Sequence, residues 1–254
     1  MKKSGQVTIF IILGVIIVAI AVLIFLFYPQ IKSTLGFGEQ SPSGYMQNCI
    51  EDSLTESIQK VSVQGGSLEP QHYFLYKDQK LEYLCYTEEY FLTCVMQQPM
   101  LKSHIEAEIK TNIQKDVGTC LESLKENYRK LGYNVQADEK DFNVELLPKF
   151  VVLNLGNSFS LTKGEETQNY ETMKISVNSD MYELISIANS ILNWEASYGS
   201  AETTTYMNYY HNLKVEKIKQ SEGTTVYILT NRDSEDKFQF ASRSIAWPAG
   251  YGEI

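Results

Sequence analysis

The hydrophobic pattern of this chain changes character three times. From Val7 to Tyr28 there are 22 residues without a charge, broken only by Thr8 and Gly14. A helix of that length covers roughly 33 Å, enough for a hydrocarbon core of ~30 Å, so the pattern predicts a transmembrane helix over 7–28. Tyr28 falls at an interfacial position, and Pro29 follows where the helix ends or bends. Residues 1–6 then form a cytoplasmic tip. Residues 29–44 hold Gly36, Gly38, Pro42 and Gly44 among Ser and Thr, which predicts a juxtamembrane spacer rather than a folded element.

Beyond the spacer the period is helical. Met46, Cys49/Ile50, Leu54, Ile58 and Val61 share one face of a helix over 45–63, stopped by Gly65-Gly66. Two short strands, 73–76 and 81–86, flank Lys77 to Lys80. Pro99 opens a long helix to about Leu131, with Leu101, Ile105, Ile109, Ile113, Val117, Leu121 and Leu124 on one face and Gly132 behind it. After Gly132 the period falls towards two, and strands are expected over 133–136, 142–147, 150–155, 159–162 and 170–177. A second long helix runs from Met181 to about Trp194. Strands over 225–230 and 237–243 precede the Trp247-Pro248-Ala249-Gly250 tail. The expected fold class is α+β: an extracytoplasmic domain over 45–254, with a helical, disulfide-containing subregion (45–131) and a sheet-rich subregion (132–254). That second part is a mostly antiparallel sheet with a packed helix.

Charge sets the orientation. Lys2 and Lys3 precede the apolar run, and Lys32 alone stands close behind it, so the N-terminus is expected in the cytoplasm and the C-terminal domain outside. A cleaved secretory peptide fits less well, because the only A-x-A, Ala19-Ile20-Ala21, lies within the run. All 31 acidic residues lie at or beyond Glu39 against 20 basic ones after the run, a net of −11. A domain of that charge repels phosphate backbones, which excludes nucleic acid as a partner.

Four cysteines, all between positions 49 and 120, are expected outside the membrane, where an even number favours disulfides with three possible connectivities. Cys49 and Cys120 lie on the apolar stripes of the two predicted helices and can meet across their seam. Cys85 and Cys94 are nine positions apart, a spacing that suits a loop clasp. Cys49–Cys120 with Cys85–Cys94 is therefore the preferred pairing. With no C-x-x-C and no His at ligand spacing, neither a metal nor any other cofactor is expected.

No catalytic constellation is legible. His72, His104 and His211 fall on different predicted elements. His104 and Glu108 are four apart on one helix, a spacing usually left to solvent. Ser57 to Lys60 spells S-x-x-K without the companion motifs of Ser–Lys acyltransferases, so it reads as a polar helix face. Glu88-Glu89 and Glu165-Glu166 are loop carboxylates without fixed geometry. No enzyme activity is predicted. Tyr206, Tyr209 and Tyr210, from a chain holding 17 tyrosines, fall at i, i+3, i+4 and would share a stripe if helical. That stripe packs on the sheet or forms a candidate interaction surface.

Two resemblances add to this picture. Lys2-Lys3-Ser4-Gly5-Gln6 before the apolar helix is similar to the processing site of archaeal class III signal sequences in type IV pilin-like proteins. The likeness implies a candidate cleavage between Gly5 and Gln6 with the helix retained. Ser4 and Phe10 depart from that pattern, which commonly has a basic residue before the Gly and a Glu at the fifth mature position. The chain as a whole resembles a group of uncharacterised archaeal single-span membrane-anchored surface proteins. That resemblance rests on Gly5-Gln6-Val7-Thr8-Ile9-Phe10, Asn48-Cys49-Ile50, Gly65-Gly66, Leu84-Cys85-Tyr86-Thr87, Cys94, Pro99, Ile105-Glu106, Cys120-Leu121 and Phe240-Ala241-Ser242-Arg243-Ser244. It implies a cell-surface location and no particular activity. The expected role is a structural or binding one at the membrane, with lipid and other cell-surface or filament proteins or glycans as partners. The alternatives are a pilin-like filament or pseudopilin subunit and, third, an exported hydrolase.

Overall fold

The structure is a computed structural model that describes residues 41–138, 141–156 and 158–245, together with Gly14, Ile16 and Ile17. The expected membrane span, the Gly5-Gln6 processing site and the Trp247 tail lie outside the described residues, apart from Gly14, Ile16 and Ile17, which are helical. Among the described residues no helix is long and apolar enough to cross a membrane. The chain divides into two compact units, Met1–Gly44 and Tyr45–Ile254, and the second carries the α+β fold.

Helix α1 spans Pro42–Val63. It starts inside the stretch expected to be spacer, because Gly44 N–H donates to Ser41 Oγ at 3.2 Å and Pro42 needs no donor in a first turn. Strands β1 (Tyr73–Tyr76) and β2 (Gln79–Tyr86) form a hairpin. Its two-residue turn, Lys77-Asp78, is left-handed at both positions, with φ 49 and 65. A short β3 (Val95–Met96) pairs with the end of β2. Helix α2 (Leu101–Lys130) follows, with Ile105, Ile109, Ile113, Val117, Cys120 and Leu124 on its buried face.

Two three-stranded antiparallel sheets come next. β5 (Phe142–Leu147), β6 (Phe150–Leu155) and β9 (Met173–Asn178) make one. β4 (Asn134–Asp138), β7 (Ser158–Lys163) and β8 (Glu166–Tyr170) make the other. The strand expected over 170–177 is therefore two strands in two sheets. Tyr170 ends one and Met173 begins the other, because Glu166 to Tyr170 are held by pairing to β7 alone and bury no face of their own.

Helix α3 (Met181–Tyr198) ends in left-handed Gly199 and continues four residues beyond the expected Trp194. A short α4 (Thr204–Tyr209) leads into β10 (Leu213–Lys219), β11 (Thr224–Asn231) and β12 (Lys237–Arg243). These complete a sheet of order β1-β2-β12-β11-β10, in which β12 runs parallel to β2 and every other pairing is antiparallel. One face, with Tyr227, Leu229, Phe238 and Phe240, joins α1, α2 and α3 in the main core. The other face holds a smaller cluster of Leu81, Tyr83, Val226, Ile228 and Ala241.

Cys49 and Cys120 are bonded across the α1–α2 seam with Cα atoms 6.0 Å apart. Cys85 and Cys94 close the loop between β2 and β3, at 5.3 Å.

Candidate functional site

The start of α3 is where several elements are tied together by one carboxylate. Asp180 is buried. Its Oδ1 accepts from Lys149 Nζ at 2.5 Å, and its Oδ2 accepts from Asn231 Nδ2 and Ser234 Oγ, each at 2.6 Å. Asp180 N–H donates to Asp236 Oδ2 at 2.5 Å. Lys149 occupies the turn of the β5–β6 hairpin at φ 68, and its carbonyl accepts from Ser179 N–H at 3.0 Å. The hairpin, the helix and the β11–β12 turn thus converge on Asp180. Burial works to raise its carboxyl, but the Lys149 ammonium, the Ser234 hydroxyl and the Asn231 amide outweigh that and hold it below the usual carboxylate range.

Beside this knot lies a pocket of about 280 Å³. Tyr182, Leu184 and Ile187 of α3, together with Tyr210 and Leu213, give it apolar walls, while Lys149, Asp180, Asn212 and Asn231 form its polar end. Glu183 also lines it, and Glu183 Oε2 is buried without a hydrogen-bond partner in the structure. An acceptor in that position is costly unless something donates to it. The pocket's lining suits an occupant with an apolar body and a polar group.

The three predicted tyrosines separate here. Tyr206 is half-buried against the main core, with its hydroxyl 2.7 Å from Ser190 Oγ. Tyr209 is 79% exposed and Tyr210 53%. They do not form one helical stripe, because α4 stops at Tyr209 and Tyr210 already has extended backbone. Tyr210 instead forms part of the pocket wall. Trp194 and Tyr198, also exposed, contact each other on α3 with ring centroids 4.8 Å apart.

The histidines make no direct contact with one another, though His72 and His104 line one cleft. His72 packs edge-on against Tyr86 at 4.1 Å, His211 follows α4, and His104 contacts Ser67. The pair His104/Glu108 is not left to solvent: Glu108 Oε2 accepts from Leu68 N–H at 2.7 Å. Ser57 is fully buried rather than part of a polar face, and its hydroxyl has no hydrogen-bond partner in the structure. The Ser67–His104 contact was invisible from spacing, since the two residues come from a turn and a helix 37 positions apart. Among the described residues no group of three or more His, Cys, Asp and Glu could hold a metal ion. No family model, curated protein or solved structure matches the chain.

Proposed function

We propose that the chain is a single-pass membrane protein whose extracytoplasmic domain binds a neighbouring surface protein through Tyr209, Tyr210 and the pocket behind them. The apolar run Val7 to Tyr28 with Lys2-Lys3 before it, and the resemblance to anchored archaeal proteins, support the location. One observation carries the binding role: exposed Tyr210, next in sequence to exposed Tyr209, walls an apolar pocket that Glu183 also lines. A basic side chain of the partner fits best. Its aliphatic stem matches the apolar walls, and the Glu183 carboxylate and the domain's excess of negative charge attract its head.

The test is a photo-crosslinker placed at position 209 in intact membranes. A defined adduct is expected, and it should disappear in Tyr210→Ala and Glu183→Gln. The melting temperatures of Tyr209→Ala and Tyr210→Ala should stay near that of the unaltered protein, because exposed substitutions usually shift stability by no more than about 0.5 kcal/mol. Loss of about 3–5 kcal/mol in Tyr209→Ala or Tyr210→Ala, the magnitude of a buried aromatic, would sink the interface reading.

The Gly5-Gln6 junction favours a second reading, a pilin-like subunit assembled through the apolar helix. Intact mass of the membrane-extracted protein separates the two. A chain beginning at Gln6 supports the pilin-like reading, and one retaining Met1 to Gly5 removes it.

A further inference from the structure

We propose that a second, polar cleft, bounded by α1, α2 and β2, is a binding site for a neutral saccharide. Its volume is about 640 Å³. Its centre is a short chain of hydrogen bonds. Ser67, 6% exposed, donates its hydroxyl to Glu82 Oε2, and its Oγ lies 2.8 Å from His104 Nε2. One turn further along α2, Glu108 accepts from Leu68 N–H.

Two glycines place this chain. Gly65 and Gly66 are left-handed, and a Cβ on Gly65 would meet Glu82 Cβ at 2.8 Å, while one on Gly66 would meet Ile105 Cγ1 at 2.9 Å. Only glycines let the turn run close enough to both β2 and α2 for Ser67 to bridge them.

The arrangement does not match a Ser–His–acid nucleophile. In a triad the carboxylate orients the histidine and the serine proton faces the imidazole. Here the carboxylate holds the serine. A serine has one proton to give, so while Glu82 accepts it His104 must be the donor to Oγ. That leaves a fixed set of polar groups rather than an activated alcohol.

The lining narrows the ligand class. An anion would meet Glu69 and Glu108 against one ammonium, that of Lys60, and be repelled. An apolar ligand would strip water from amides and carboxylates and return no hydrogen bonds. For a cation, one acceptor site of Glu82 is taken by Ser67 and one of Glu108 by the Leu68 amide. Burial, only partly offset by Ser67, His104 and Gln98, also pushes the Glu82 carboxyl up towards its neutral form. Sugar hydroxyls both donate and accept. They suit carboxylates beside the side-chain amides of Gln97, Gln98 and Asn112. His72 is exposed at the cleft, backed by the buried Tyr83 ring with centroids 4.8 Å apart, and offers an aromatic edge for the C–H groups of a pyranose.

The test uses the full chain in lipid nanodiscs and saturation-transfer NMR. The probes are N,N′-diacetylchitobiose, mannobiose and cellobiose at about 10 mM, well above a weak Kd of ~1 mM. Saturation transfer to at least one probe is expected, with binding weakened at least about tenfold, or 1.4 kcal/mol, in Glu108→Gln. Asn112→Trp, an exposed α2 position on the cleft, should abolish the signal with the melting temperature unchanged. Tyr210→Ala should leave the signal intact, which separates this site from the proposed protein interface. No transfer to any of the three probes overturns the proposal. So does a signal that survives Asn112→Trp, or displacement of the sugar by trilysine at lower concentration, which would make the cleft a cation site.

Discussion

Glu195 is a carboxylate inside the core, 1% exposed, yet nearly every acceptor site it has is used. Its Oε1 takes the Tyr227 hydroxyl and the Ala201 N–H, the latter at 3.0 Å, and its Oε2 takes Ser242 Oγ at 3.2 Å. Nearby, Lys217 Nζ donates to Ser200 Oγ and the Ala201 carbonyl, each at 2.7 Å. Burial first, and the Glu195 charge next, push the Tyr227 phenol far above the usual tyrosine range. Burial pulls Lys217 down, against the opposing pull of Glu195. The two groups act on stability with opposite signs. A raised phenol gives stability that is complete below the free tyrosine value of about 10 and is lost as pH rises past it. A lowered lysine gives stability present above its free value of about 10.4 and lost as pH falls through its folded value. Tyr227→Phe should cost about 1–3 kcal/mol at neutral pH, because Glu195 loses a donor in a dry site. The same variant should also lose less stability between about pH 10 and 12 than the unaltered protein. Urea unfolding at several pH values checks both, and an unchanged alkaline limb would remove the argument from Tyr227.

At the scale of elements, the turn after α1 is the most tightly specified connection. Gly66→Ala should destabilise the domain by about 1–3 kcal/mol, since the new methyl meets Ile105 in a left-handed turn, and it should displace Ser67 from Glu82 and His104. Thermal unfolding measures the first effect, and loss of the saccharide signal the second. The glycine pair was readable in the sequence as a helix stop, but not as a point of close approach, because Ile105 and Glu82 come from elsewhere in the chain. Strict alternation made β5 legible to the residue, and short apolar runs did the same for β6 and β12. β10 alternates too, with Leu213 and Val215 buried between Lys214 and Glu216, but its charges hid it among loops. β8 left no signal, because pairing to β7 rather than burial holds it. Of the pocket, Tyr210 was readable as part of a tyrosine cluster. Asp180, Lys149 and Asn231 were not, because they meet only through tertiary folding.

For the whole molecule, the disulfides act at different ranges. Cys49–Cys120 closes 71 residues and locks α1 to α2, whereas Cys85–Cys94 closes nine and trims one loop. Replacing the first pair by alanine should therefore cost about 2–5 kcal/mol and the second pair less, as loop-closure entropy grows with length. Calorimetry of the two double variants gives the order directly, and the reverse order would contradict it. The central sheet carries a consequence for how the protein is made. Its last strand in sequence, β12, lies between β2 and β11. Until residues 237–243 have left the ribosome, β1-β2 and β10-β11 are two separate hairpins with nothing between them. The two hairpins then wait with open strand edges, and the sheet closes only when the final segment arrives. Biogenesis of this domain is accordingly an end-of-synthesis event, and a chain that stops between β11 and β12 leaves an unjoined sheet rather than a smaller version of the fold.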